Sequence, residues 1–298
     1  MIKNHLGLQK YSEMRTLTKV IEVRNYLSSL NLSPLGLVPT MGALHQGHTS
    51  LVTRAVGTCP VVGVSIFINP SQFNDPEDLK NYPRTEMKDL EILGSILREK
   101  DFVFIPSVKE IYPEEDTREF NFGNLEMVME GLQRPGHFQG VARVVTRLFD
   151  IFSPDIAFFG LKDFQQLAII RRLVALQDYR IKIIGCPIVR ENDGLAMSSR
   201  NQLLEPEIRN RAGIIFKVLS EVTKMSRQNK IADIETFVTT KINSTEGFKL
   251  EYFNIVDEND LIPVKTRNEI RNGMRYFACI AVKAGKIRLI DNIEISLV

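Results

Sequence analysis

Two of the chain's four histidines, His45 and His48, stand three apart in the stretch Pro39-Thr40-Met41-Gly42-Ala43-Leu44-His45-Gln46-Gly47-His48. An apolar run, Leu35-Gly36-Leu37-Val38, leads directly into it and reads as a buried parallel strand. A helix starting near Gly47 would turn its unpaired N–H groups and the positive end of its dipole toward the same space as the imidazoles. Gly42 and Gly47 would let a ligand approach the backbone closely. Together these are the makings of an anion site, for phosphates above all. Histidines three apart also share one helix face, as metal ligands would, but no third ligand candidate lies nearby in sequence. Taken alone, the stretch could equally be a glycine-softened loop with incidental histidines.

Other residues suit the same chemistry. Lys162 follows a short apolar run, Ile156 to Phe159, and precedes a helical pattern, which places it at the carboxyl edge of a sheet where α/β ligand sites gather. Its ammonium can meet phosphate oxygens as a compact charge, although Lys162-Asp163 by itself is an ordinary solvated loop pair. Met197-Ser198-Ser199-Arg200, shortly after Asp193-Gly194, sets two hydroxyls beside a guanidinium. Such a group can grip a triphosphate, or simply cap a helix and expose its arginine.

The elements that must position these residues alternate. Helical spacing is expected over Thr16 to Leu30, Thr85 to Lys100, Val141 to Phe152 and Gln165 to Gln177, with one crossover helix between the first two strands. Strands are expected at Leu35 to Val38, Val61 to Ile68, Phe102 to Ile105, Ile156 to Phe159 and Tyr179 to Ile184. This rhythm predicts a Rossmann-like, doubly wound parallel sheet over residues 1–187. From 188 to 298 two helices, Pro206 to Arg227 and Ile231 to Ser244, precede strands around Tyr252 to Val256, Tyr276 to Val282 and Ile287 to Ile290. That grouping predicts a smaller α+β domain, with a tight hairpin turn at Lys283-Ala284-Gly285-Lys286.

Composition narrows the function. The 298 residues are enough for two domains at roughly 100–200 residues each. With 38 basic against 36 acidic side chains, there is no strongly basic surface for nucleic acid, so any anion must be bound locally. Cys59, Cys186 and Cys279 form neither a disulfide framework nor a thiolate zinc site, which fits a reducing compartment. No apolar run reaches the roughly 18 residues of a membrane span, and Met1 to Lys10 lacks a secretory apolar region. These features predict a soluble cytoplasmic protein.

His45-Gln46-Gly47-His48 resembles the His-x-Gly-His signature of the nucleotidyltransferase superfamily, and Pro39 to His48 as a whole resembles the pantothenate synthetase (pantoate–β-alanine ligase) family. Further resemblances follow in order: Ile68-Asn69-Pro70-Ser71-Gln72-Phe73, Tyr82-Pro83-Arg84-Thr85, Arg134-Pro135-Gly136-His137-Phe138, Phe159 to Gln166, and Asp193 to Asn201. The resemblance implies a two-step ligase. Pantoate's carboxylate attacks the α-phosphorus of ATP to release pyrophosphate, and β-alanine's amine then attacks the acyl-adenylate to release AMP.

It further implies His48, His45 and Lys162 as catalytic groups, with His48 the proton donor or electrostatic stabiliser, although His48 could also be only a helix cap. ATP would be held by Met41, Gly42, Ala43, Leu44, His45, Gln46, Gly47, His48, Gly160, Leu161, Lys162, Asp163, Val189, Met197, Ser198, Ser199 and Arg200. Val189 would touch adenine through its backbone. Gln72 and Gln166, which donate and accept at once, would bind pantoate, with Gln72 also near β-alanine; Asn69 is a further candidate, open to a reading as turn chemistry before Pro70. Arg134, His137 and a loop from Asn74 to Arg84 would line or close the pantoate side.

Leu161 departs from the polar residue expected at its position, and Arg143 from a threonine. Magnesium is expected to arrive with ATP, since no dedicated protein ligand set is visible. The resemblance also implies a homodimer. Two alternatives share the signature: a nucleotidyltransferase that leaves the nucleotide on a phosphorylated acceptor, and a non-catalytic nucleotide sensor.

Overall fold

The computed structural model describes residues 14–30, 32–74 and 76–297. They form two compact units. The first holds the residues up to 122 together with 134–161 and 169–187; the second holds 123–133, 162–168 and the residues from 188 onward.

The first unit is built on six strands: β1 (Arg15–Leu17), β2 (Leu35–Thr40), β3 (Val61–Ile66), β4 (Phe102–Phe104), β5 (Ile156–Gly160) and β6 (Lys182–Cys186). Every pairing is parallel, in the order β1-β4-β3-β2-β5-β6. β3 is buried along its whole length and β2 nearly so, which is why both read as continuous apolar runs rather than alternating ones. From β2 the chain winds outward through β3 and β4, then returns to lay β5 on the other side of β2, with Gly36 opposite Ile156 and Leu37 opposite Ala157. The winding direction therefore reverses between β2 and β5. At such a point the turns after the two strands part and leave a crevice at their carboxyl ends. This is the doubly wound, Rossmann-like sheet that the alternating pattern predicts.

The helices of the chain are α1 (Val20–Leu30), α2 (Gln46–Val56), α3 (Pro76–Asn81), α4 (Glu86–Gly94), α5 (Val108–Ile111), α6 (Met129–Gln133), α7 (His137–Phe152), α8 (Phe164–Leu176), α9 (Pro206–Arg211), α10 (Ile214–Met225) and α11 (Ile231–Asn243). Several differ from expectation for local reasons. Thr16 and Leu17 belong to β1, not to the first helix: they pair with Val103 and Phe104, and α1 starts only where Glu22 accepts from the Thr18 and Lys19 N–H groups. α4 stops at Gly94, short of Lys100. Arg98 and Asp101 close the chain into a turn there, and Asp101 accepts from Val62 N–H at 2.8 Å, fastening it to β3.

The expected loop from Asn74 to Arg84 contains α3. Pro76 opens it, Glu77 and Asp78 lie in its first turn and Lys80 in its last, an arrangement that suits the helix dipole. α7 begins at His137 rather than Val141, because Gly136 takes the left-handed conformation and its carbonyl accepts from Gly140 N–H. Tyr179 lies before β6, its N–H given to Val174 O and its hydroxyl to Asp150.

In the second unit β7 (Phe248–Asp257), β8 (Tyr276–Ala284) and β9 (Ile287–Ile295) form an antiparallel sheet in chain order. Gly285, at φ +59°, turns the hairpin between β8 and β9. α10 and α11 pack on this sheet through Ile215, Val218, Leu219, Ile234, Val238 and Ile242. The single helix expected over Pro206 to Arg227 is two, α9 and α10, parted at Ala212 and Gly213; glycine is a weak helix former, and α9 is held by Arg209 pairing with Glu191 and Asp193.

A buried carboxylate ties the two earlier segments into this unit. Glu130, on α6, receives both Arg288 guanidinium nitrogens and the Tyr252 hydroxyl, while its backbone N–H donates to Gln165 Oε1 at 2.8 Å. Gln165 in turn donates to Leu125 O and Val128 O.

Candidate active site

In the first unit the site is built on the turn that follows β2. Thr40, the last residue of the strand, donates its hydroxyl to Ser65 O on β3 and accepts from Gly42 N–H. Gly42 and Ala43 then both take positive φ, +77° and +50°. That unusual backbone is held by one side chain the sequence did not single out, Asp89 on α4, which is only 1% exposed. It accepts from Ala43 N–H at 2.9 Å, Leu44 N–H at 2.8 Å and the Thr85 hydroxyl at 3.2 Å. An Asp89→Ala change would strand two N–H groups, at about 1–3 kcal/mol for each one left buried. The expected result is a loss of about 2–6 kcal/mol of stability, read from the midpoint of urea unfolding.

The turn delivers the chain to the N-terminus of α2, and here the geometry differs from the sequence expectation. The N–H groups of Gly47, His48 and Thr49 are bonded within the turn itself. His45, the N-cap, accepts from Gly47 N–H through Nδ1 at 3.1 Å, and His48 Nδ1 accepts from His45 N–H at 3.3 Å. His45 O takes the N–H groups of His48 and Thr49. A backbone N–H can only donate, so each Nδ1 must carry the lone pair and each ring's proton must sit on Nε2. The reciprocal cap therefore makes each imidazole a donor at Nε2, with the ring centroids 4.1 Å apart at the N-terminus of α2.

A second turn, after β3, comes up beside the first. Asn69 is fully buried and its amide is committed on both sides. Nδ2 donates to Gly140 O at 3.0 Å and to Gln72 Oε1 at 3.3 Å, and Oδ1 accepts from Ser71 and from the Tyr112 hydroxyl. Burial pushes the Tyr112 hydroxyl above its ordinary range, so it stays a donor at neutral pH. Gln72 is half-buried, and its Nε2 reaches Met41 Sδ, which brings Gln72 and the Met41–His48 turn together. His137 accepts from Arg134 at Nε2 (3.0 Å) and so donates from Nδ1 to Gln72 O at 2.8 Å. Arg134 and His137 thus reach Gln72 through its backbone. Arg143, further along the same helix, donates to Arg118 O.

Gly140, another residue not singled out in sequence, lets α7 lie directly on this turn. A Cβ added there would stand 2.2 Å from Ser71 O and 2.7 Å from Gln72 Cα. A cavity of about 380 Å³ adjoins Met41, Gly42 and Ala43, at the carboxyl ends of β2, β3 and β4; Arg84, Glu86 and Asp89 bring charge to an otherwise largely apolar lining. Gly160 ends β5, the strand beside β2, and Leu161 follows it at the start of a 3-10 turn.

The second unit holds the other candidates. Lys162 follows Leu161 in a single 3-10 turn, its ammonium 3.7 Å from Asp163 Oδ1. Gln166 is half-buried on α8, unlike its neighbour Gln165, whose amide is consumed by the backbone around Glu130. Val189 to Met197 form a narrow loop, closed by Met197 N–H to Val189 O and Glu191 N–H to Leu195 O, with Gly194 at φ +92°. Burial opposes the charge of Asp193 in this loop, but the Arg209 hydrogen bond and Leu195 N–H outweigh it and hold its carboxyl below the ordinary range. Ser198 Oγ accepts from Arg200 N–H, so Ser198 does cap the short turn carrying Ser199 and Arg200. Asn201 fastens that turn to the loop through Glu191 and Ala196 O, while its Oδ1 is buried with no hydrogen bond among the described residues.

Among the described residues no group of three or more His, Cys, Asp or Glu side chains could hold a metal ion. The imidazoles of the first unit, and separately the Lys162 ammonium and the Ser198–Arg200 turn of the second, are donors that suit phosphate oxygens.

The pantoate-beta-alanine ligase family profile matches residues 14–294. The pantothenate synthetase of Bacteroides thetaiotaomicron is 48% identical over 260 residues, covering 87% of this chain and 90% of the relative. That of Porphyromonas gingivalis is 44% identical over 283 residues, covering 94% and 99%. Among solved structures, pantothenate synthetase from Thermus thermophilus superposes with a TM-score of 0.86 at 40% identity, over 94% of this chain and 99% of that one. Pantoate-beta-alanine ligase from Francisella tularensis, complexed with beta-gamma ATP and beta-alanine, gives 0.77 at 35% identity, over 94% and 97%. The chain belongs to the pantoate–β-alanine ligase family.

Proposed function

We infer that the protein joins (R)-pantoate to β-alanine with consumption of ATP, through a pantoyl-adenylate. The observation that carries this reading is the family match along nearly the whole chain. The Francisella tularensis relative, described with an ATP compound and β-alanine, supports those two as substrates here.

A carboxylate is a poor electrophile. Transfer to AMP gives it a leaving group before the amine arrives: the pantoate oxygen bonds to the α-phosphorus as the bond to pyrophosphate breaks, then the β-alanine nitrogen bonds to the acyl carbon as AMP departs. Negative charge builds on the phosphates in the first step, and fixed donors aimed at those oxygens supply most of the acceleration. His45 and His48 present Nε2–H for that task, Lys162 adds a full charge, and Ser198, Ser199 and Arg200 complete the donor set on the triphosphate. The tautomer favours His48 as a hydrogen-bond donor over a proton donor, since protonating Nδ1 would break its cap.

Met41 to His48, Gly160 to Asp163, Val189 and Met197 are proposed to hold the rest of ATP. Gln72 and Gln166 are proposed to bind pantoate, with Asn69 acting through Gln72. Magnesium would travel on the triphosphate; the protein's own donors do not fit a resident ion, and no step here runs through one. By the same resemblance the protein is proposed to be a cytoplasmic homodimer. No helix among the described residues is long and apolar enough to cross a membrane.

Pantoate-dependent exchange of labelled pyrophosphate into ATP, with β-alanine left out, tests the reading. Exchange is expected with pantoate and not without it. Folded protein that makes pantothenate without such exchange would sink the adenylate, and folded protein that makes none would sink the ligase.

A further inference from the structure

One strand of the second unit holds two of its candidate phosphate-binding segments at once. On β9, Asp291 and Asn292 are adjacent and nearly fully buried. The Asn292 side-chain amide donates to Lys162 O at 3.0 Å, which fixes the backbone from which the Lys162 ammonium projects. Asp291 receives Arg190 through both guanidinium nitrogens, at 2.6 and 3.0 Å, and Arg190 also donates to Gly194 O at 3.1 Å and to Asn292 O at 3.3 Å. Arg190 belongs to the loop that leads into Ser198, Ser199 and Arg200, and its guanidinium is stacked 4.0 Å over the Phe216 ring. Asn292 N–H donates to Asp291 Oδ1 at 2.8 Å, joining the two halves.

We propose that Asn292, with the Arg190–Asp291 pair, is a positioning device that holds the Lys162 turn and the loop leading to Ser198–Arg200 in register for one triphosphate. The proposal rests on the reading of Lys162 as a nucleotide-binding residue. Neither Asn292 nor Asp291 needs to touch the nucleotide. Their chemistry is suited to holding backbone: the amide is a neutral donor to a carbonyl, and the carboxylate is paired with a planar fork that also reaches two carbonyls. Burial pushes the Asp291 carboxyl up. Arg190, the Asn292 N–H and the Lys162 charge oppose that push, in keeping with Lys162 lying close to this pair.

The test compares Asn292→Ala, Lys162→Ala and the double variant by melting temperature, steady-state kinetics and pyrophosphate exchange. If Asn292 acts through Lys162, Asn292→Ala in folded protein raises the KM for ATP and slows exchange, each by about tenfold, because a reacting group displaced by part of an ångström loses catalysis steeply. The KM for β-alanine stays within about twofold, and in the Lys162→Ala background the same change adds less than about twofold. Asn292→Thr, β-branched and suited to a buried strand, carries the same test if the alanine variant does not fold.

An ATP KM within about twofold of the parent in folded protein would overturn the proposal, as would a full tenfold loss added on top of Lys162→Ala. Exchange at the parental rate in Lys162→Ala would remove Lys162 from the nucleotide, and the proposal would go with the reading beneath it.

Discussion

His48→Asn is expected to fold like the parent and to lose about 10²–10³-fold in the rate of pyrophosphate exchange, the usual cost of removing one well-aimed donor. The two nitrogens of His48 do different work, which is what makes the substitution informative. Nδ1 accepts His45 N–H and so shapes the start of α2. Asparagine can place its amide oxygen near that nitrogen and keep the cap, but nothing then stands where Nε2–H stood. His48→Gln reverses the trade. It reaches the Nε2 position with a donor and gives up the cap, so it is expected to recover part of the rate while melting lower. If His48 matters only as a cap, the order inverts: asparagine stays active and glutamine fails. Single-turnover exchange together with a melting curve for both variants separates the two outcomes.

Gly140→Ala is expected to be the most damaging single methyl in the first unit. Its Cβ would stand 2.2 Å from Ser71 O, a backbone atom with no rotamer to escape by. Either α7 or the Asn69–Gln72 turn must move. Overpacking of this kind costs about 1–3 kcal/mol. The larger effect falls on function, because a shift of about 1 Å in a substrate-positioning group can cost about 10²-fold. Gln72 moves with the turn, and the Asn69–Gly140 hydrogen bond that fixes it is lost or lengthened. The expected signature is a KM for pantoate raised and a kcat lowered, with the KM for ATP much less affected. Parental kinetics in the folded variant would show that the turn tolerates displacement and would remove Gln72 from the proposed pantoate site.

The middle of the sheet is legible because β2, β3 and β4 are buried along nearly their whole length, and continuous apolar runs such as Val61 to Ile66 announce that plainly. What sequence could not supply were structures whose hydrogen bonds come from far along the chain. β1 is a strand only because β4 lies beside it, and Thr16 and Leu17 fit a helical stripe equally well in isolation. α4 ends at Gly94, and the turn beyond it is fastened by Asp101 accepting from Val62 N–H, a partner remote in sequence.

The candidate site divides in the same way. Residues that would face a ligand, such as His45, His48, Lys162 and Gln72, carry chemistry that their local motifs display. The residues that aim them do not. Asp89 and Gly140 look like an ordinary helical acid and an unhelpful helical glycine, and Asn292 like a polar residue in a strand. Their importance lies in which backbone groups they meet, and that is written in the topology. At the helix start after β2, the Gly47 N–H serves the His45 ring and the His45 N–H serves the His48 ring, a pairing that the motif alone does not display.

The reciprocal cap has a consequence for how this sequence can change over generations. Each ring steadies the main chain near the other, so a change at either position that gives up the cap loosens the survivor as well. Positions 45 and 48 are therefore expected to change together across generations: a lineage that gives up the cap at one gains less by keeping its companion.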